Sequence, residues 1–380
     1  MAKNKIFSVI PAITLVLLMT ACGGTSLLGN IPPENNGNNG NNNGNNGGAQ
    51  QPGTQQPSGT GYRVAYSNDG INWTISSDRT FNSGGYFPLC DIVYGNGTFL
   101  LQYKVNSEYK LAYSSDGINW NLSEYQFDDW RNITFAKDKF FAATVDSNVA
   151  TYSENGINWT NVTITAFGGG VWPNNGFVRA VAYGDGKYIA VGNKEGNSFK
   201  NYAYSTDGVT WTLGTGDFTS SAAKLFIIWG NDVWVASNGW TSTDYSVNGG
   251  TTWRPAYIMD QYNYPSYAFG GDIDDIAFGN GKFVMVGSRQ STSSGVIVCS
   301  EDGVNWTVSE SGFGSYVSCT AFGNGKWTAG VHYEYGGDKV IYSPDGINWT
   351  VPSNTIFGNS GEIHDIAFGN GKFVAVGYVK

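Results

Sequence analysis

Residues 66–73 read Tyr-Ser-Asn-Asp-Gly-Ile-Asn-Trp. This turn returns six more times with small changes, and its copies end at Trp120, Trp159, Trp211, Trp253, Trp306 and Trp349. A second stretch, residues 365–374 (Asp-Ile-Ala-Phe-Gly-Asn-Gly-Lys-Phe-Val), also occurs seven times and alternates with the first. Asp-Gly and Asn-Gly indicate hairpin turns, because both residues of such a pair adopt positive φ angles. Two hairpins in each unit of about 45 residues predict the four-stranded blade of a β-propeller.

The burial pattern of the strands and the half-blades at the two ends of the repeat array both support a propeller. Strands such as residues 283–286 (Phe-Val-Met-Val) are apolar on both faces, which is typical of a sheet packed between two neighbours. The array begins with a second-half motif at residues 63–74 and ends with a first-half motif at residues 364–379. An isolated hairpin is marginally stable in water, so we expect these halves to pair. The sequence therefore predicts an all-β, seven-bladed β-propeller of four-stranded antiparallel blades, with the N- and C-terminal halves closing the last blade.

The N-terminal region predicts export. Lys3 and Lys5 precede an apolar run over residues 6–19, which is typical of a secretory signal peptide. Residues 19–22 (Met-Thr-Ala-Cys) resemble a bacterial lipobox, in which Cys22 would be lipidated; the alternative is a plain signal peptide with a chance cysteine. We expect a signal peptide at 1–21, a lipidated cysteine and flexible Asn/Gly/Gln/Pro-rich tether at 22–61, and the propeller at 62–380. The expected location is the bacterial cell envelope, on the outer membrane or cell surface.

Composition narrows the classes of partner. The formal charge of −9, without any cluster of Lys and Arg, argues against nucleic acid and against an anionic membrane surface. Membrane contact is therefore expected only through the lipid, and the body is expected to be a monomer. Cys90, Cys299 and Cys319 are an odd number, so at most one disulfide can form, and buried thiols are favoured. His332 and His364 lie far apart in sequence, which argues against a zinc site, and no cofactor is expected.

The repeated turn resembles the Asp-box, or BNR repeat, of sialidase-type propellers, with the pattern Ser-x-Asp-x-Gly-x-x-Trp. Residues 246–253 have this full length with Asn in place of Asp, and the other six copies are one residue shorter. The resemblance implies that the Asp or Asn side chain bonds to its own turn and that the Trp packs between sheets. It therefore implies a structural, non-catalytic role for Asp69, Asp116, Asn155, Asp207, Asn248, Asp302 and Asp345.

Candidate ligand-binding residues lie in the connections that vary between repeats. Both regular turns of a blade fall on one face of the ring, so the variable connections fall on the other, where function concentrates on a rigid scaffold. Aromatic rings beside polar groups suit a sugar ring or a protein hot spot; the alternative for any one ring, Tyr125 and Phe167 among them, is that it only holds its own loop. The candidates are Trp130, Trp172, Trp240, Tyr262, Tyr264, Tyr333, Tyr335, Arg131 and Arg179.

Three functions are compatible with these residues. The preferred prediction is a non-enzymatic module that binds a glycan or a protein. The resemblance raises a sialidase-like glycoside hydrolase as an alternative, but such enzymes usually have six blades, and no Arg-Ile-Pro motif occurs here. Asp91, Asp275 and Asp365 recur at the start of inner strands, where a structural role is favoured over a catalytic pair. An envelope assembly or scaffold factor is the third alternative, and calcium held by Asp272, Asp274 and Asp275 has no further support.

Overall fold

The computed structural model describes residues 60–78, 80–81, 89–105, 108–127, 131–144, 148–167, 176–193, 202–219, 224–238, 243–259, 265–266, 272–289, 294–333, 337–353 and 355–379. The predicted signal peptide, Cys22 and the predicted tether up to residue 59 lie outside these residues, and Gly61, placed in the tether by the prediction, belongs to the first strand. Within them, no helix is long and apolar enough to cross a membrane. Apart from one 3₁₀ turn (Thr165–Phe167), the regular structure in this part of the chain is β-strand.

Seven sheets form the blades of a propeller, which confirms the predicted fold. In blade 1 the strands are β3 (Leu89–Gly95), β4 (Thr98–Val105), β5 (Glu108–Ser114) and β6 (Asn121–Phe127). In blade 2 they are β7 (Arg131–Ala136), β8 (Lys139–Thr144), β9 (Val149–Ser153) and β10 (Thr160–Thr163). In blade 3 they are β11 (Phe177–Gly184), β12 (Lys187–Asn193), β13 (Tyr202–Ser205) and β14 (Thr212–Leu213).

The remaining blades follow in chain order. In blade 4 the strands are β15 (Phe226–Gly230), β16 (Val233–Ser237), β17 (Thr243–Ser246) and β18 (Arg254–Pro255). In blade 5 they are β21 (Ile273–Gly279), β22 (Lys282–Arg289), β23 (Ser294–Ser300) and β24 (Asn305–Phe313). Blade 6 holds β25 (Tyr316–Gly323), β26 (Lys326–His332) and β27 (Lys339–Ser343), and blade 7 holds β28 (Glu362–Gly369), β29 (Lys372–Val379), β1 (Gly61–Ser67) and β2 (Thr74–Ile75).

Blade 7 joins the two ends of the described chain, as the sequence predicted. The order of its strands is β2-β1-β29-β28, and β1 pairs antiparallel with β29 from Gly61↔Val379 to Ser67↔Phe373. The seven inner strands, β3, β7, β11, β15, β21, β25 and β28, each contact the next, and β28 contacts β3. The ring is therefore closed without an unpaired strand at the junction.

Two blades depart from four regular strands. In blade 6, the fourth strand is reduced to a single antiparallel bridge, between Tyr342 and Thr350. In blade 5, β19 (Tyr257–Met259) pairs in parallel with β24, and β20 (Pro265–Ser266) pairs with β19. Part of the connection that contains the candidates Tyr262 and Tyr264 therefore extends the outer edge of blade 5 through backbone hydrogen bonds.

Packing between blades explains the Gly that ends most inner strands. A Cβ atom at Gly95 would lie 2.0 Å from the Phe135 ring of blade 2, and one at Gly279 would lie 2.3 Å from Phe322. Gly184, Gly230, Gly323 and Gly369 are covered in the same way by Trp229, Phe278, Phe368 and Tyr94. An aromatic ring from each of these blades thus fills the space of a missing side chain in its neighbour, which closes the ring at one end of the inner strands.

A second repeated contact holds the connections between blades. In six places a buried Phe, at the end of an outer strand or in the connection after it, packs in the core cluster that contains the repeated Trp of the following blade. The pairs are Phe81 with Trp120, Phe127 with Trp159, Phe167 with Trp211, Phe218 with Trp253, Phe313 with Trp349, and Phe357 with Trp73. Each of these Phe residues follows the preceding repeated Trp by seven or eight positions, so the sequence carries this signal, although neither of the two repeated motifs includes it.

Candidate functional site

The two faces of the ring differ in how their polar groups are used. We call the face with the strand 1–2 turns and the Asp/Asn turns the turn face, and the opposite one the variable face. On the turn face, Asp69 Oδ1 accepts hydrogen bonds from the backbone N–H of Ile71 (2.9 Å) and Asn72 (2.8 Å), and Asp69 Oδ2 accepts one from Asn72 Nδ2 (2.8 Å). Side chains at Asp116, Asn155, Asp207, Asn248, Asp302 and Asp345 also accept from backbone N–H groups of their own turns. These oxygens are therefore engaged within the turns.

Charge at these turns is stabilised locally. Partial burial would raise the pKa of Asp69, but hydrogen bonds from Asn72 and Ile71 outweigh it and lower the pKa to about 2. The same balance lowers the pKa of Asp116 to about 2. Both carboxylates are ionised at neutral pH and are already satisfied by donors, which suits a structural role and leaves them poorly suited to proton transfer.

The variable face carries irregular inner strands. Among the described inner strands, five contain a β-bulge near their N-terminal ends, and the extra residues are Cys90, Arg179, Asp274, Ser318 and His364. Bulges bend a strand and re-aim side chains, and they are common beside functional sites. Residues along these strands stay partly exposed, as in β21 from Asp274 to Phe278, although blades surround them. The bulges lie at the variable-face end of the ring axis, which we call the channel mouth.

Three aspartates beside these bulges connect neighbouring blades. Asp365 Oδ2 accepts a hydrogen bond from Ile92 N–H (2.8 Å), Asp91 Oδ2 from Ile133 N–H (3.0 Å), and Asp275 Oδ2 from Thr320 N–H (2.8 Å). Each carboxyl thus bonds to the inner strand of the next blade. The favoured sequence interpretation was a structural role at the strand end, and the bonds found here also link separate blades.

Two neighbouring carboxyl groups of β21, those of Asp274 and Asp275, are difficult to ionise. Burial raises the pKa of Asp275 to about 7, and the charge of Asp365 adds to the shift. Burial and the charges of Asp272 and Asp275 raise the pKa of Asp274 to about 8. In the described part of the chain, no group of three or more His, Cys, Asp or Glu side chains is arranged to hold a metal ion.

A cluster of His, Tyr and carboxyl groups lies on the variable face at blades 6 and 7. We define the His–Tyr cluster as Tyr316, His332, Tyr333 and Asp338. The His332 and Tyr316 rings stack with centroids 4.7 Å apart, and His332 Nδ1 lies 2.9 Å from the buried Asp338 Oδ1. Asp338 Oδ2 accepts a hydrogen bond from Ile363 N–H (2.9 Å), which ties blade 6 to blade 7.

The second histidine lies apart from this cluster. His364 Nε2 lies 3.7 Å from Glu362 Oε2, and the His364 ring lies 6.0 Å from the ring of Tyr62, on the face of blade 7 that packs toward blade 1. Both histidines lie at the variable-face ends of their strands, but on different sides of blade 7. The His332 side chain keeps 27% of its surface exposed, so its ring can reach a ligand while Asp338 holds its position.

Few predicted ligand-binding residues fall in the described part of the chain. Tyr333 is partly buried, with Lys339 Nζ 5.5 Å from its ring centroid, and burial raises its pKa. Arg179 is the bulge residue of β11, with its guanidinium 4.9 Å from the Phe177 ring centroid. Both candidate arginines lie within inner strands and not in connections, because Arg131 is the first residue of β7 and Arg179 lies in β11. The Arg131 side chain and all of Trp130, Trp172, Trp240, Tyr262, Tyr264 and Tyr335 lie outside the described residues.

Two loop aromatics that we considered are held within the fold. Phe167 is fully buried in the core between blades 2 and 3. Tyr125 stacks on Trp159 with ring centroids 5.8 Å apart. These rings therefore hold their own loops, as the alternative interpretation stated.

A buried ion pair anchors the connection between blades 3 and 4. Lys224 Nζ bonds to Asp244, and both side chains are fully buried. Thr219 donates its hydroxyl to the same carboxylate, and Lys224 N–H donates to Gly192 O (3.0 Å). Burial lowers the pKa of Lys224, and the charge of Asp244 opposes this shift. Only the tertiary structure identifies this pair, and both of its charged groups have hydrogen-bond partners.

Comparison with known proteins supports the fold. No protein-family model matches the sequence, and a search among curated proteins gives no match. YCF48 from Cyanidioschyzon merolae is similar in structure, with a TM-score of 0.51 and 13% identity over 78% of this chain and 96% of that chain. A Trypanosoma rangeli sialidase in complex with the inhibitor DANA gives a TM-score of 0.44 and 12% identity over 76% of this chain and 54% of that chain. At these identities the likeness concerns the fold alone.

Proposed function

We propose that this protein is a cell-envelope lipoprotein whose propeller presents the variable face to a glycan or a protein and performs no catalysis. The observation that carries this proposal is the contrast between the two faces. Asp and Asn side chains of the turn face bond to their own turns, whereas the variable face gathers the His–Tyr cluster beside the channel mouth. A rigid scaffold with one face of variable connections is a common arrangement for binding.

The chemistry of the His–Tyr cluster suits recognition. Stacked Tyr316 and His332 supply flat aromatic surface, and the His332 imidazole supplies a directional polar group. Because Asp338 is fixed by backbone N–H groups and lies against His332, the imidazole is held in place before a ligand arrives. Such preorganisation reduces the entropy lost on binding. Sugar rings and protein hot spots both require apolar surface beside oriented polar groups.

The described chain begins beside this face. Gly61 pairs with Val379 at the end of β29, and β29 runs from the strand 1–2 turn toward the variable face. A tether attached before Gly61 therefore joins the propeller at the rim of its proposed binding face. With Cys22 as the lipid anchor, the membrane contact would be made by the lipid, and the propeller itself would act as a monomer.

A glycoside hydrolase would need two carboxyl groups available to the glycosidic bond. Asp91, Asp275 and Asp365 are the recurring acids near the channel, and each accepts a backbone hydrogen bond from the next blade. This use favours a structural role for them. An assembly or scaffold function is the second alternative, and it shares the prediction of a protein partner on the variable face.

The test is a glycan-array screen with residues 60–380, followed by crosslinking to envelope proteins if the array is blank. Tyr316→Ala, Trp172→Ala and Tyr264→Ala probe the variable face, and Ile347→Ala, 40% exposed on the turn face, is the control. We expect saturable binding that at least one variable-face variant weakens about tenfold or more, as hot-spot aromatics do. Retained near-ultraviolet aromatic signal would establish that each variant is folded. Binding lost only in Ile347→Ala, or no binding in either screen, would contradict the proposal.

A further inference from the structure

The last and first inner strands of the ring are joined by a carboxyl group. Asp365, on β28, accepts a hydrogen bond at Oδ2 from the N–H of Ile92, on β3, across 273 positions of sequence. Asp365 Oδ1 lies 2.7 Å from Ile366 N of its own strand. This contact and the β1–β29 ladder both connect the C-terminal end of the propeller to its N-terminal end. One of the contacts that hold the junction of blades 7 and 1 is therefore made by a carboxyl group.

A second carboxyl group lies against the first. Asp91 precedes Ile92, whose N–H binds Asp365, so the two carboxyl groups are neighbours, and Asp91 Oδ2 accepts from Ile133 N–H of blade 2 (3.0 Å). Two ionised carboxylates at this junction repel each other, and a hydrogen bond between them requires that one of them keep a proton. Asp365 and Asp91 thus form a carboxyl pair that spans blades 7 and 1 and also contacts blade 2.

The surroundings offer this pair little positive charge. Asp275 of β21 and the buried thiol of Cys319 on β25 are close enough to interact with it electrostatically, and both become negative when they ionise. The neighbour across the ladder from Asp91 on β4 is the neutral Gln102. On blade 7, Arg63 lies on the same side of the sheet as Ala65, and this side packs toward blade 6. Asp365 lies on the opposite side, with Val376, and that side packs toward blade 1.

Other charged groups on the packed strands lie further along them. His364 and Glu362 of β28 pair with each other, and Asp274 of β21 interacts with Asp272 and Asp275. On β7, Asn132 is neutral and directs its Nδ2 to Arg179 O (2.9 Å), and the side chain of Arg131 is outside the described residues. The described groups facing the pair are therefore acidic or neutral.

We propose that the ring is closed by a retained proton, shared by Asp365 and Asp91, and that loss of this proton weakens the junction of blades 7 and 1. Burial raises the pKa of Asp365 well above its ordinary range, and the charge of Asp91 adds to this shift. Burial raises the pKa of Asp91 as well, against the bond from Ile133 N–H. The propeller thus senses pH at the mouth of its channel.

The direction of the effect follows from proton linkage. The folded ring binds a proton that the unfolded chain releases at the ordinary aspartate pKa, so stability is greatest below that value. The stability of the folded ring falls as the pH rises from about 4 to the raised pKa of the pair. For one proton, the unfolding constant increases by up to about tenfold per pH unit over this range. Above the raised pKa, the two carboxylates repel each other, and the loss is complete.

The fold already uses a neutral counterpart of this aspartate. Asn132 occupies in blade 2 the position of Asp91 in blade 1, three residues before the aromatic ring at the end of the inner strand. Its amide donates to the backbone of blade 3. An Asn at position 91 can likewise accept from Ile133 N–H and donate to Asp365, which reproduces the protonated acid without a proton to lose.

The experiment is urea unfolding of the full chain in non-ionic detergent, from pH 5 to pH 8.5, for the wild type, Asp91→Asn and Asp365→Asn. We expect the wild-type unfolding constant to rise with pH, and each variant to show a slope lower by up to one proton. The matched control is Asp69→Asn, on the turn face, which should keep the wild-type slope over this range because the low pKa of Asp69 leaves it ionised throughout.

Each outcome decides between a shared proton and its absence. A wild-type unfolding constant that does not rise with pH would overturn the proposal without any variant. A wild-type slope that persists in both Asn variants would place the proton elsewhere, for example on Asp274 or Asp275, and would also overturn it. If one variant fails to fold, the other tests the same pair. A slope reduced in the pair variants but unchanged in Asp69→Asn supports a shared proton at this junction.

Discussion

The Tyr94 ring lies against Gly369: a Cβ atom at position 369 would be 2.0 Å from Cγ of Tyr94. Gly369 ends the last inner strand and Tyr94 belongs to the first, so this contact closes the ring at the turn face. At the other end of the same strands, Asp365 bonds to Ile92. The junction of blades 7 and 1 is therefore held by an aromatic contact at one end and a carboxyl contact at the other.

The first prediction concerns the glycine contacts. Gly369→Ala should destabilise the propeller by about 1–3 kcal/mol, because the methyl group would force Tyr94 from its position. Gly371→Asn is the control: Gly371 has a φ of +73° with no atom within 4 Å of a Cβ, and the preceding Asn370 already adopts φ 45°. Urea unfolding would measure both free energies. Equal losses of unfolding free energy in the two variants would show that the Tyr94 ring does not prevent a larger side chain at position 369.

The second prediction concerns acid stability of the Asp/Asn turns. Because the pKa of Asp69 is lowered to about 2, its contribution to stability is present above about pH 4 and is lost as the pH falls toward 2. Asp69→Asn should be close to neutral at pH 7, because Asn155 makes the same two backbone bonds in blade 2 (2.9 Å each). The variant should lose less stability than the wild type between pH 4 and pH 2. Asn155→Asp, the reverse exchange, should increase the acid sensitivity.

The third prediction concerns the buried ion pair. Asp244→Ala should cost about 3–5 kcal/mol, because it leaves the Lys224 ammonium buried without its counter-charge. Glu301→Ala is the matched control, since Glu301 pairs with Lys282 at 3.7 Å and its side chain is 81% exposed. That change should cost no more than about 1 kcal/mol. Thermal or urea unfolding compares them, and a small loss in Asp244→Ala would show that the site admits water.

The fourth prediction concerns the thiols. Cys299 and Cys319 are free and buried, and burial raises the pKa of both. In residues 60–380 carrying Cys90→Ser, a water-soluble disulfide reagent should label neither thiol in the folded state and both after unfolding in urea. Rapid labelling of the folded protein would mean that blades 5 and 6 open locally more often than the ring unfolds.

The repeats were sufficient to predict the architecture, and the structure confirms seven blades and a last blade built from both ends of the chain. Turn chemistry is local, so residues 66–73 and 365–374 contain the information for their own hairpins. The predicted site was less complete. Tyr333 and Arg179 were proposed because their connections vary, whereas His332 and Asp338 were missed because nothing in the local sequence relates them to Ile363 in the next blade.

By itself, the sequence determined how many blades form, where their turns lie and how the ring closes, because each depends on short repeated patterns of turn residues and apolar strands. Only the tertiary structure decided which side chains meet between blades. Asp365 and Ile92 are 273 positions apart, and their contact exists because seven nearly equal rotations return the last blade to the first. The same stacking places His332 beside blade 7 and buries Lys224 against Asp244. His332, Lys224 and Asp244 belong to neither repeated motif, so no repeat marks their contacts, whereas the Asp365 contact is made by an aspartate that recurs at positions 91 and 275.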